Sequence, residues 1–169
     1  MKTIPILLAL CLASGCATGA TTYAPASAPA IVPNLRVVDA SKAIYRSGQP
    51  LPAGFAYLMS IGVSNVVKLN TGTTDDCVAA LGMHVTKIPI STWKQIFGPV
   101  GRDMTNAVAA IGPGTLVHCT HGQDRTGLVL ACYREWSQGW PKAAAQKEML
   151  DDGFHPMLRG LWDFWQALR

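Results

Sequence analysis

Five residues separate Cys119 from Arg125 in "VHCTHGQDRTGLV" (117–129), a spacing at which a thiol and a guanidinium can share one anion. A thiol attacks only as the thiolate, and an ordinary cysteine is mostly protonated at neutral pH. The residues that follow Cys119 supply what the ionised sulfur needs. The loop runs into a helix expected to start near Thr126, whose first N–H groups lack intrahelical acceptors and carry partial positive charge. Gly122 and Gly127 let the loop curl so that its N–H groups converge on an anion. Arg125 adds a permanent charge whose planar fork matches two phosphate oxygens. The Thr126 hydroxyl can donate a hydrogen bond to the sulfur. Such a cup also binds a tetrahedral phosphate, and holds it more tightly as charge builds on the transferring oxygens. The matching chemistry is attack of sulfur on phosphorus, a phosphocysteine, and its hydrolysis by water. Phosphate oxygens would lie against residues Thr120, His121, Gly122, Gln123, Asp124 and Arg125.

The elements that must hold this cup are legible as alternating strands and helices. "LRVVD", "AIYRSG", "SNVVKLN" and "MHVTKIPI" are predicted strands, and "GTLVHC" a central apolar one that ends at Cys119. Helices are predicted over "LPAGFAYLMSIG", with Pro52 in its first turn, over "TTDDCVAALG" and over "GRDMTNAVAAIG". In the last of these Met104, Ala107, Val108 and Ile111 share a face. Residues 91–100 read as a loop. "TGLVLACYREWSQG" is a long helix, followed by helices in "PKAAAQKEMLDDG" and "PMLRGLWDFWQALR". The last presents Leu158, Leu161, Trp162, Trp165 and Leu168 as an apolar stripe suited to core packing. The alternation implies an α/β domain with a mostly parallel central sheet flanked by helices. Ligands collect at the carboxyl ends of strands in such sheets, which is where Cys119 falls.

Cys119-x5-Arg125-Thr126 behind the strand "TLVH" resembles the signature loop of the protein tyrosine and dual-specificity phosphatases. "IYRSGQP" (44–50) and "KIPI" (87–90) resemble segments of the compact bacterial, fungal and plant dual-specificity-like branch. "HCTHG" is similar to the RNA triphosphatase branch as well. The resemblance covers roughly residues 35–150 and implies the phosphatase fold, over a domain spanning 34–169. It implies a phosphomonoester hydrolase with Cys119 as nucleophile, Arg125 as the phosphate-binding and transition-state-stabilising residue, and His118 as a residue that positions the loop. The late place of the signature differs from the low-molecular-weight phosphatases. Sulfurtransferases of the rhodanese type and arsenate reductases carry a similar cup.

One part of the family pattern is missing. The leaving oxygen needs a proton, which these phosphatases take from an aspartate on a loop before the signature strand. After "KIPI" this chain reads "STWKQIFGPV", without a carboxylate. Asp124 resembles the loop aspartate of the myotubularin and Sac-type phosphoinositide phosphatases and is the candidate general acid, or else a residue that holds the loop. Asp103, Asp75 and Asp76 stand at helix starts, where capping accounts for them.

Composition narrows the partners. The formal charge of +4 with no Lys/Arg run suits a small anionic group or a phosphoprotein and not a nucleic acid. The histidines His84, His118, His121 and His155 lack zinc-ligand spacing, so no metal or other cofactor is expected. "MKTIPILLALCLASGC" fits a secretory signal (1–15), and "LASGC" resembles a bacterial lipobox that would lipidate Cys16. Ala17 after it suggests, by resemblance, the outer membrane; a cleaved signal and a soluble periplasmic protein is the other reading. Residues 16–33, Ala/Thr/Pro-rich and almost uncharged, are expected to form a flexible tether. Lys87, Lys94 and Arg102 could add positive field beside the cup. Phosphotyrosine or phosphoserine/threonine protein is the expected substrate, with a phosphoinositide or inositol phosphate as the alternative. A phosphate-binding module without turnover, or a redox or sulfur-transfer protein using Cys119, are the readings from other classes. Cys77 and Cys132 are the remaining thiols of the domain and candidate redox partners.

Overall fold

A computed structural model describes residues 30–73 and 75–168. The signal sequence, Cys16 and most of the tether lie outside these residues. The tether's end does not: Val32 is buried, and the Leu51 and Gly48 N–H groups donate to the carbonyls of Ile31 and Pro33 at 2.8 Å each. The domain therefore includes residues 31–33, because Val32 supplies apolar surface to the core instead of leaving it in water.

Five strands form one sheet: β1 (Arg36–Asp39), β2 (Ile44–Ser47), β3 (Asn65–Lys68), β4 (His84–Lys87) and β5 (Thr115–His118). Their spatial order is β1-β2-β5-β3-β4, with β1 antiparallel to β2 and the other three pairings parallel. Among the described residues seven α-helices surround it: α1 (Pro52–Ser60), α2 (Asp76–Ala80), α3 (Thr92–Phe97), α4 (Gly101–Ala109), α5 (Asp124–Gln138), α6 (Lys142–Asp151) and α7 (Arg159–Ala167). The mostly parallel α/β arrangement expected from the alternation is the one found.

Strand alternation divides the core between the two faces of the sheet. Val66 and Leu116 join Phe55, Leu58 and Val78 under α1 and α2. Val67 and Val117 join Met104, Leu128, Met149, Leu161 and Trp165 under α4 to α7. Nine successive residues of α5, Thr126–Arg134, are buried, as befits a helix enclosed on every side. The C-terminal stripe packs as core, with Leu161 and Trp165 fully buried.

Two boundaries differ from the sequence reading. The segment 91–100 is not all loop: the Ser91 hydroxyl accepts from the Lys94 N–H at 3.2 Å and caps α3, a one-and-a-half-turn helix too short to show periodicity. The long helix starts at Asp124, two residues before Thr126. The register then fixes the site, since Ser47, His118 and Lys68 are paired neighbours at the carboxyl ends of β2, β5 and β3. The residues after each of them, 48, 119 and 69, thus emerge side by side.

Candidate active site

Cys119 is the first residue beyond β5 and is 2% exposed, while Thr120 and His121 after it face solvent. Residues 119–123 curl between the strand and α5, and the first bond of that helix runs from the Gly127 N–H to the Gln123 carbonyl at 2.7 Å. The N–H groups of residues 124–126 precede it and have no acceptor within the helix, which leaves positive dipole ends at the cup. Gly122 sits at φ +77°, and its N–H donates to Cys119 Sγ at 3.3 Å. A Cβ there would stand 2.5 Å from the Ser47 carbonyl carbon, so only glycine lets the loop pass against β2.

The Thr126 hydroxyl does not meet the sulfur. It is buried and makes no hydrogen bond, since the earlier helix start draws Thr126 into the packed first turn of α5. The Gly122 N–H takes the place expected of it. Arg125 is fixed by two bonds: Nη1 donates to the Ile90 carbonyl at 3.0 Å and Nη2 to Thr120 Oγ1 at 3.0 Å. Ile90 ends the "KIPI" segment, so the loop that lacks an acid still aims the arginine.

Behind the sulfur lies a buried polar cluster. His118 is fully buried, with Nε2 3.2 Å from Asp75 Oδ2. Asp75 also takes Lys68 at 3.2 Å and a hydrogen bond from Gln49 Nε2 at 2.8 Å. Gln49 Oε1 in turn accepts from Asn70 at 2.9 Å and Thr73 at 2.8 Å. Asp75 is thus no cap, and makes no capping bond to α2; it anchors the histidine beside Cys119. Burial works against its charged form, but the hydrogen bonds from His118 and Gln49, with the charges of His118 and Lys68, outweigh it and hold the carboxyl at about 2. A folded value below the unfolded ~3.9 stabilises the fold above about pH 4, and that contribution is lost as pH falls towards about 2. Asp75→Asn should therefore cost about 3 kcal/mol at neutral pH, by leaving Lys68 buried without its carboxylate. It should also flatten the dependence of stability on pH between about 4 and 2, read by urea unfolding across that range.

The candidate acids are dispersed. Asp124 Oδ1 accepts from both the backbone N–H and Nδ1 of His155 at 2.9 Å, tying the cup to the turn between α6 and α7. Asp103 caps nothing and pairs with Lys94 at 2.8 Å, which also removes Lys94 as a free cation. Lys87 and Arg102 are exposed, with no bond to the cup. Among the described residues no cluster of His, Cys, Asp or Glu could hold a metal ion. Cys132 is buried in α5, where burial pushes its thiol far up, and Cys77 is half-buried in α2. Asp75, Gln49 and His155 carry no sequence signal of their own. Only Gln49 falls inside a segment that the family resemblance marks.

Comparison with known proteins agrees with this fold. A model described as the tyrosine phosphatase family matches residues 39–136. The dual specificity protein phosphatase TpbA of Pseudomonas aeruginosa is 35% identical over 126 residues, 72% of this chain and 56% of that protein. The chain thus spans a little over half the length of that curated relative. The crystal structure of P. aeruginosa TpbA superposes with a TM-score of 0.64 at 28% identity, over 83% of this chain and 92% of that one. A TpbA variant crystallised with phosphotyrosine gives 0.63 at 28% identity, over 79% and 83% of the two chains. The catalytic core of the PP-IP phosphatase SIW14 of S. cerevisiae, at 20% identity, shares the fold with a TM-score of 0.67, over 82% and 88%.

Proposed function

The chain belongs to the tyrosine phosphatase family, and from that membership we propose that it hydrolyses phosphomonoesters of tyrosine- or serine/threonine-phosphorylated proteins through a phosphocysteine. One observation carries this reading: Cys119 stands at the end of the central strand with an N–H on its sulfur, beside an arginine braced at two points. The relationship to TpbA, and the binding of phosphotyrosine by a TpbA variant, support protein substrates.

In the first step Cys119 Sγ attacks phosphorus in line with the ester oxygen. The S–P bond forms as the P–O bond breaks, and charge on the three equatorial oxygens is met by the N–H groups of the cup and by Arg125. In the second step water attacks phosphorus, the S–P bond breaks, and inorganic phosphate leaves with the thiolate restored. A phenol has a pKa near ~10, so a tyrosyl oxygen departs with modest help from a proton donor, and alkyl esters need more. Asp124 holds His155 through two bonds to Oδ1, which suits a loop-holding role better than proton transfer.

The test is a panel of phosphotyrosine and phosphoserine peptides, phosphoinositides, inositol phosphates and aryl phosphates of graded leaving-group pKa, run on the full chain and on Asp124→Asn. Phosphotyrosine peptides should turn over fastest. Asp124→Asn should lose activity by the same factor, about tenfold, across all leaving groups. A loss that grows steeply as the leaving group worsens would restore Asp124 as the acid. Turnover confined to inositol lipids or inositol phosphates would sink the protein-substrate reading. A persulfide on Cys119 with no hydrolysis would mark a sulfur-transfer protein.

A further inference from the structure

Three successive carbonyls of the cup are held from outside it. The Thr120 oxygen accepts from the Gln49 N–H at 3.0 Å, the His121 oxygen from Asn34 Nδ2 at 3.1 Å, and the Gly122 oxygen from Arg46 Nη2 at 2.6 Å. A trans peptide is a rigid plane in which one residue's C=O and the next residue's N–H point opposite ways. Each carbonyl drawn outward therefore turns the following N–H inward, those of residues 121, 122 and 123. The Gly122 N–H, 3.3 Å from Cys119 Sγ, is the direct product of this leverage.

Two of these three outer donors trace to one carboxylate. Asp152, the residue after α6, is buried and pairs with both Arg36 and Arg46. Arg46 is the arm that reaches the Gly122 carbonyl. Arg36 Nε donates to Asn34 Oδ1 at 3.2 Å, and so orients the amide whose other end holds the His121 carbonyl. Arg46 is 1% exposed; burial, with the charge of Arg36 beside it, pushes its guanidinium down to about 10, so it remains a cation at neutral pH. An arginine buried this deeply is tolerated only with an anion against it, and Asp152 is that anion.

We infer that Asp152 is a positioning residue for the nucleophile: through Arg46 and the Arg36–Asn34 pair it fixes the two peptide planes that aim N–H groups at the sulfur and at bound phosphate. The inference rests on Cys119 being the nucleophile proposed above, and its test needs no substrate. Iodoacetamide reports ionised sulfur, and its rate with Cys119 is compared at about pH 6.5 and about pH 10, where any accessible cysteine is ionised. In Asp152→Asn and Asp152→Ala the near-neutral rate should fall about tenfold while the alkaline rate stays at the wild-type level. Arg46→Lys, which keeps a charge but cannot span Asp152 and Gly122, should lose an intermediate amount. Near-neutral rates within about twofold of wild type in folded variants overturn the inference, as does an equal loss at both pH values, which would mean lost access. If Asp152→Ala does not fold, the isosteric Asp152→Asn and Arg46→Lys decide by the same comparison. A wild-type chain whose sulfur reacts near neutrality as an ordinary thiol would instead remove the phosphatase reading.

Discussion

Cys119→Ser is expected to end turnover while leaving phosphate capture in place. The proposed anion would meet N–H groups and Arg125, and Arg125 is held by the Ile90 carbonyl and Thr120 Oγ1 and not by the sulfur. A serine hydroxyl is far less acidic than a thiol, and His118, the histidine adjoining position 119, has its Nε2 on Asp75. The rate on p-nitrophenyl phosphate should fall by a factor on the order of 10^4 to 10^6, the range seen when an enzyme loses its nucleophile. Calorimetry should find a phosphotyrosine peptide still bound with near wild-type affinity. Residual turnover above about one per cent would show that chemistry proceeds without the sulfur.

Arg125→Lys should be nearly as severe, for a different reason. The guanidinium is a rigid plane spanning from the Ile90 carbonyl to Thr120 Oγ1, and that bracing presets the direction in which its donors meet phosphate. Lysine keeps the charge but has neither the plane nor the second anchor. Removing one preorganised donor from a developing oxyanion costs about 10^2 to 10^3 in rate, and losing a bidentate, charged one belongs at the upper end. Steady-state kinetics should show kcat/KM lower by about 10^3. The alkylation of Cys119 should change far less, because the Gly122 N–H that faces the sulfur shares its peptide plane with the His121 carbonyl, which Asn34 holds. A kcat/KM within tenfold of wild type would mean that charge alone suffices and that the fork has no special role.

The sheet was legible because its strands are short Val-rich runs bounded by Ser, Asn and Gly, and because Cys119 had to fall at a strand's carboxyl end once the alternation was parallel. The cup was legible because its residues are contiguous. What surrounds the cup was not. Asp75 looks like a helix cap in sequence, and only the β3–β5 register reveals that it meets Lys68 and His118. Asp152 stands fourth in "MLDDG", where two acids at a helix end suggest nothing, yet it is 106 residues from the Arg46 it binds. Thr126 failed as a sulfur donor because a shift of two residues in a helix start decides which groups point into a loop. Such contacts are set by packing between distant segments, and no local spacing encodes them.

The place of β5 between β2 and β3 has a consequence for how the protein fails. The outer strands can fray singly, β4 from one margin and β1 from the other, as local openings of low cost. The strand bearing the sulfur can leave only when two ladders part at once. Breathing at the margins therefore leaves Cys119's own strand paired on both sides. Fraying of β1, which carries Arg36, should loosen the cup while the strand bearing the sulfur stays in place, so thermal inactivation should run slightly ahead of global unfolding.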